Sequence, residues 1–186
     1  MRSRRLLLAL SLASGCATAI SGCAGAYVQH PLTTRLSAAD PDTQMEFLHE
    51  LAEQPLASND EAFHALLLFL DGTSPSTYDQ RLAALQKKGL LPADFAEAQY
   101  NAVRRGTVAV ILCKSLHISG GVSMHLFGVN ERYAVRELVD MELFPTSSPN
   151  QTFSGTELVG ILGKAEDFQR GGGGEKTPGG IAGEAK

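Results

Sequence analysis

Between positions 41 and 170 apolar residues recur at helical spacing, and they do so in blocks. Met45, Leu48, Leu51 and Ala52 mark one side of a short helix over 45–53, followed by Pro55 in a loop. Ser58-Asn-Asp-Glu61 reads as a capping box ahead of a strongly apolar helix over 62–70, which Asp71-Gly72 stops. Ser76 before Asp79 predicts the next start, and that helix runs toward Leu85-Gln-Lys-Lys-Gly-Leu-Leu-Pro92. Another apolar helix over 106–112 should end near His117, because Ser119-Gly120-Gly121 follows. Asn130 predicts the N-cap of a helix through Tyr133, Ala134, Leu138 and Met141, and Ser154 with Glu157 is a second capping box. Short extended structure is expected over 122–127. The sum is six principal helices and an all-α fold.

The blocks repeat. Leu85-Gln-Lys-Lys-Gly-Leu-Leu-Pro92 matches Leu138-Val-Asp-Met-Glu-Leu-Phe-Pro145 at an offset of 53. Gly106-Thr-Val-Ala-Val-Ile-Leu112 matches Gly155-Thr-Glu-Leu-Val-Gly-Ile161 at an offset of 49. With the weaker copy that begins at Met45, the chain holds three helix–loop–helix units. Each has one apolar face, so the three must pack on one another in a single domain over 41–170.

Three tandem units of about 50 residues, each a helix, a Pro-containing loop and a capped second helix, resemble S-layer homology repeats over roughly 45–164. The resemblance implies a pseudo-threefold helical domain whose grooves bind cell-wall polymer. In that family the second helix starts with Thr-Arg-Ala-Glu, and its arginine contacts the anionic polymer. The matching residues here are Ser58-Asn59-Asp60-Glu61, Arg105-Gly106-Thr107-Val108 and Ser154-Gly155-Thr156-Glu157, so the slot holds Asn59, Gly106 and Gly155. Arg104 and Arg105 lie beside one slot without filling it. Standing just before a helix start, where backbone amides attract anions, they are the candidate binding residues.

The N-terminus changes the picture of where this domain works. Arg2, Arg4 and Arg5 precede a mostly apolar stretch from Leu6 to Ile20, too short to span a bilayer at about 20 residues and better read as a secretory leader over 1–22. It ends in Ile20-Ser21-Gly22-Cys23, which resembles the bacterial lipobox; Ala13-Ser14-Gly15-Cys16 is a weaker second candidate. The resemblance implies that Cys23 is lipidated and becomes the new N-terminus, with an ordinary signal peptidase cut as the alternative. By bacterial sorting rules Ala24 then favours the outer membrane, on its periplasmic side. Residues 23–40 read as a tether and 171–186, with 7 of the 19 glycines, as a flexible tail.

Without its leader the chain keeps 13 basic against 20 acidic residues and has no tryptophan, a poor composition for a nucleic-acid partner. Few residues suggest catalysis. Cys113 and His117 stand four apart, with His125 further on, and could be two ligands of one metal or a nucleophile and base. The competing reading is a buried, inert thiol beside a helix-end histidine. Glu61 with His64, and the cluster Arg132, Arg136, Glu137 and Asp140, read as solvated helix faces. No Gly-rich phosphate loop and no nucleophile elbow is present.

The expectation is therefore a lipid-anchored envelope protein with a non-catalytic binding domain, no metal and no cofactor. Its partner is cell-wall polymer or, alternatively, another envelope protein. A small metal- or thiol-dependent enzyme is the third alternative.

Overall fold

Asp40 and Pro41 together start the first helix: the aspartate side chain accepts from the Thr43 amide, and proline at the first helical position has no amide to satisfy. Helix α1 thus spans Pro41–Glu53, four residues longer at its start than the apolar spacing suggested. Its buried stripe is Phe47 and Leu51, while Met45 stays 68% exposed. The computed structural model describes residues 25–32, 40–120, 124, 126 and 128–172, and among them the fold is all-α. The leader, Cys23, His125 and the tail beyond 172 lie outside the described residues.

Five further helices follow: α2 (Asn59–Asp71), α3 (Tyr78–Lys87), α4 (Arg105–Ser115), α5 (Glu131–Asp140) and α6 (Gly155–Arg170). Ser58 and Ser154 close capping boxes with Glu61 and Glu157, and Asn130 caps α5, all as expected. Thr77, not Ser76, caps α3 by accepting from the Gln80 amide. The Ser76 carbonyl instead accepts from the Arg81 guanidinium. Of the stretch expected to be extended, Met124 and Leu126 are described and both are helical.

The helices do not pair within their own units. Helix α3 packs on α2, α5 on α4, and α1 on α6. Each first helix lies against the second helix of the preceding unit, and the series closes on itself. The closure is repeated in hydrogen bonds at the second-helix starts. The first helical amide of α2, from Asn59, donates to the Asn101 carbonyl; that of α4, from Arg105, to Gln151; that of α6, from Gly155, to Gln54. Amides that a helix start leaves without partners are thus accepted each time by the loop before the next unit's second helix.

Deeper in, Ala57, Val103 and Phe153 stand one residue before the three N-caps and all are fully buried. Ala57 donates to the Phe153 carbonyl at 3.0 Å and Val103 to the Ala57 carbonyl at 2.9 Å. Pseudo-threefold order therefore follows from the bonding pattern itself. Gly155 is held to its identity at this closure, because a Cβ there would stand 1.6 Å from the Leu51 carbonyl oxygen.

The repeat extends to the ends of the first helices. Leu85 accepts from the Leu90 and Leu91 amides, as Leu138 does from Leu143 and Phe144. Gly89 and Glu142 occupy the same left-handed position, with φ of 70° and 60°. Their carbonyls accept from Lys114 and Lys164, each at 2.8 Å. These equivalences fix the offset of the second helices at 50, not 49.

Burial concentrates on α2 and α4, whose residues 59–67 and 105–113 are all buried. At about 1.5–3 kcal/mol for each fully buried large apolar side chain, side chains such as Phe63, Leu66, Ile111 and Leu112 hold the ring together.

Candidate functional site

The corrected offset moves one residue into a new role. With Arg104 at the N-cap of α4, Arg105 is the first helical residue, the position held by Asn59 in α2 and Gly155 in α6. Arg105 therefore fills the slot that the sequence alignment gave to Gly106. Position three of the helix, Glu61 and Glu157 in the sister units, is Thr107 here. Arg104 makes no side-chain cap, so α4 has no capping box.

Arg105 is nearly buried. Its Nε donates to the Thr152 carbonyl at 3.1 Å, a terminal nitrogen meets Glu157 Oε1 at 2.5 Å, and the guanidinium lies 4.7 Å over the centre of the Phe153 ring. Burial works to raise the Glu157 carboxyl, but the Ser154 amide and then Arg105 outweigh it and hold the group below the usual range. Arg104, more exposed, pairs with Glu97, and its Nε is buried without a partner.

Both arginines line open clefts. Arg105 and Glu157 share one of about 520 Å³ with Thr146, Asn150 and Gln151. Arg104 and Glu97 line its neighbour, about 560 Å³, with Asn101 and Thr152. The backbone amides of Arg105 and Gly106 do not contribute to an anion site here, because they donate to the Gln151 and Pro149 carbonyls. Glu131, at the start of α5, presses on Gly106, where a Cβ would stand 2.7 Å from its Cβ. Charge at the clefts is thus two guanidinium groups, each already facing a carboxylate.

Ala26 lines both clefts, and Gly25 the second. Within the segment read as a tether, residues 25–32 lie against the body. Val28 is buried and donates to the Tyr100 carbonyl at 2.9 Å; the Ala102 amide donates to Ala26 at 2.7 Å. Leu32 donates to Glu61 Oε1 at 2.8 Å, and Tyr27 meets Tyr100 edge to face.

Of the residues considered for catalysis, Cys113 and His117 lie among the described residues and differ in exposure. Cys113 is buried, with its thiol 3.8 Å from the Ala134 carbonyl. Burial, reinforced by Glu137, pushes the thiol up to about 12, so it is protonated at neutral pH. His117 lies beyond the end of α4 with φ 54°, on an exposed turn. Among the described residues no three His, Cys, Asp or Glu side chains could hold a metal ion.

Of the two helix faces expected to be solvated, one is buried and the other is exposed except at Glu137. Glu61 and His64 are fully buried, Glu61 turned to Ser58 and His64 edge-on to Phe47 at 4.7 Å. Glu137 is buried too, although Arg132, Arg136 and Asp140 are exposed. Sequence reasoning did not single out Arg81, which is 1% exposed and pairs with Asp60 while donating to Ser74 Oγ at 3.2 Å. Burial pushes the Asp60 carboxyl up and the Arg81 guanidinium down, each opposed by its partner's charge.

No helix of the described residues is long and apolar enough to cross a membrane. Compared with known proteins, the chain matches no protein-family model and no curated sequence.

Proposed function

We infer that this is a lipid-anchored envelope protein whose helical domain binds a partner and carries out no reaction. The leader over 1–22 and the lipobox-like Ile20-Ser21-Gly22-Cys23 support an anchor on Cys23, and Ala24 supports the periplasmic side of the outer membrane. The partner we favour is an anionic cell-wall polymer, held at the clefts of Arg104 and Arg105. One observation carries this: Arg105 stands at the first helical position of α4, beside an open cleft, where the S-layer homology resemblance expects the polymer-contacting arginine.

Co-sedimentation of the leaderless domain with purified peptidoglycan sacculi tests it. The domain should pellet at low salt and less so at high salt, and Arg105→Gln should reduce pelleting more than Arg105→Lys. A domain that stays in the supernatant at low salt removes the polymer.

The second reading is a protein–protein scaffold of the envelope. It is favoured by Arg104 and Arg105 each facing a carboxylate, Glu97 and Glu157, which leaves less charge for a polyanion. Crosslinking in cells would then return one dominant protein partner rather than glycan.

A further inference from the structure

We propose that the face carrying Tyr27, the loop over 96–102 and the two arginine clefts lies against the lipid headgroups. The occupant of this surface is the bilayer to which the protein is anchored. The inference rests on the lipidation of Cys23 and adds an orientation to it.

The length of chain between anchor and body decides the matter. One residue, Ala24, separates Cys23 from Gly25. Two Cα–Cα steps reach about 8 Å at most. Residues 26–32 are fixed to the body by the Ala26–Ala102, Val28–Tyr100 and Leu32–Glu61 hydrogen bonds and by burial of Val28. A compact body of 130 residues has a radius of gyration of about 14 Å. A leash shorter than that radius cannot let the anchored point turn away from the membrane. The domain sits on its attachment point.

Other residues on this face suit the location. Tyr27 is 57% exposed and presents an amphipathic ring of the kind that settles at headgroup level. Gly25 and Ala26 form part of the rims of the clefts that hold Arg104, Arg105, Glu97 and Glu157. A polymer held at those clefts is therefore bound at the level of the headgroups, where it approaches the membrane surface. The C-terminal end of α6 is remote from the helix start that lines the cleft: Gln169 is 14 residues, about 21 Å along the helix, from Gly155.

The absence of tryptophan makes the test direct. Full-length protein, expressed with its leader in a lipoprotein-processing bacterium, is reconstituted into phosphatidylcholine vesicles with or without lipids brominated high on the acyl chains. Single reporters are Tyr27→Trp, Gln29→Trp as a second exposed position on the same segment, and Gln169→Trp. The two N-terminal reporters should be quenched at least about twofold, as rings at headgroup level, and Gln169→Trp should be unaffected. A Gly/Ser spacer of about 20 residues between Ala24 and Gly25, spanning about 25 Å, should abolish the quenching while the protein stays on the vesicles. Mass spectrometry of the N-terminal peptide separates the two readings. A diacylated Cys23 with equal quenching at all positions, or none at the N-terminal ones, overturns the orientation and leaves the anchor standing. An unmodified Cys23 overturns both.

Discussion

At the start of α2, Ser58 and Glu61 satisfy each other's amides inside the core, and Asp60 between them holds Arg81. At the start of α4 the same positions are Arg104, Thr107 and Gly106, with no capping box and no internal ion pair. Both starts still pass their first two amides to carbonyls of the following unit. The capping box is therefore dispensable for joining units, and its absence from α4 leaves the N-cap position to Arg104, whose side chain is part-exposed. Helix α2 is closed in on itself. The start of α4 turns two guanidinium groups toward open clefts.

Arg81→Ala should be the harshest test of the closed side. It leaves Asp60 buried without its counter-charge and should cost about 3–5 kcal/mol in urea unfolding. A cost near that of a surface substitution would mean that the core around α2 is not closed at all.

Acid titration separates the two helices next. Burial, and then the charge of Arg81, pushes His64 down to about 4 from an ordinary 6.5. The unfolded chain therefore binds more protons between those values, and this group's contribution is complete above pH 6.5 and lost as pH falls to 4. About 3 kcal/mol is at stake. The equivalent residue in α4 is Val110, which cannot titrate. Because the raised Asp60 carboxyl changes stability in the opposite direction, the quantity to measure is the difference between wild type and His64→Leu across that range. A difference that does not vary with pH would sink the assignment.

The smallest effect compares the caps themselves. Ser58→Ala should cost about 1–2 kcal/mol through the lost cap, whereas Arg104→Ala, which removes a part-exposed pair with Glu97, should stay within about 1 kcal/mol. Thermal unfolding of the two variants side by side checks it, and equal losses would make the two starts alike.

The helices were readable in the sequence because their signals are local. Two serines with a glutamate three residues on, an asparagine before an amphipathic run and an Asp-Gly stop each act within one turn. Asp40-Pro41 is an equally local signal for the start of α1, lying one turn ahead of the first apolar position of the stripe. The phase of the repeat was harder. Gly106-Thr107 and Gly155-Thr156 share letters and draw the alignment one residue off, whereas the buried residue before each N-cap, Ala57, Val103 and Phe153, gives the true phase. That slip decided whether Arg105 filled the slot. Pairing of α1 with α6 was not legible, since nothing local tells an apolar stripe which partner will cover it. Neither was the burial of His64, whose cause is a helix enclosed on all sides.

Closure between α1 and α6 has a consequence for biogenesis. The N-terminal helix finds its main cover in the C-terminal one, more than 100 positions later. Such distant contacts delay productive collapse until almost the entire polypeptide has emerged. While the chain emerges, Leu51 must wait for its neighbour Gly155, the interval in which a chaperone would find its client.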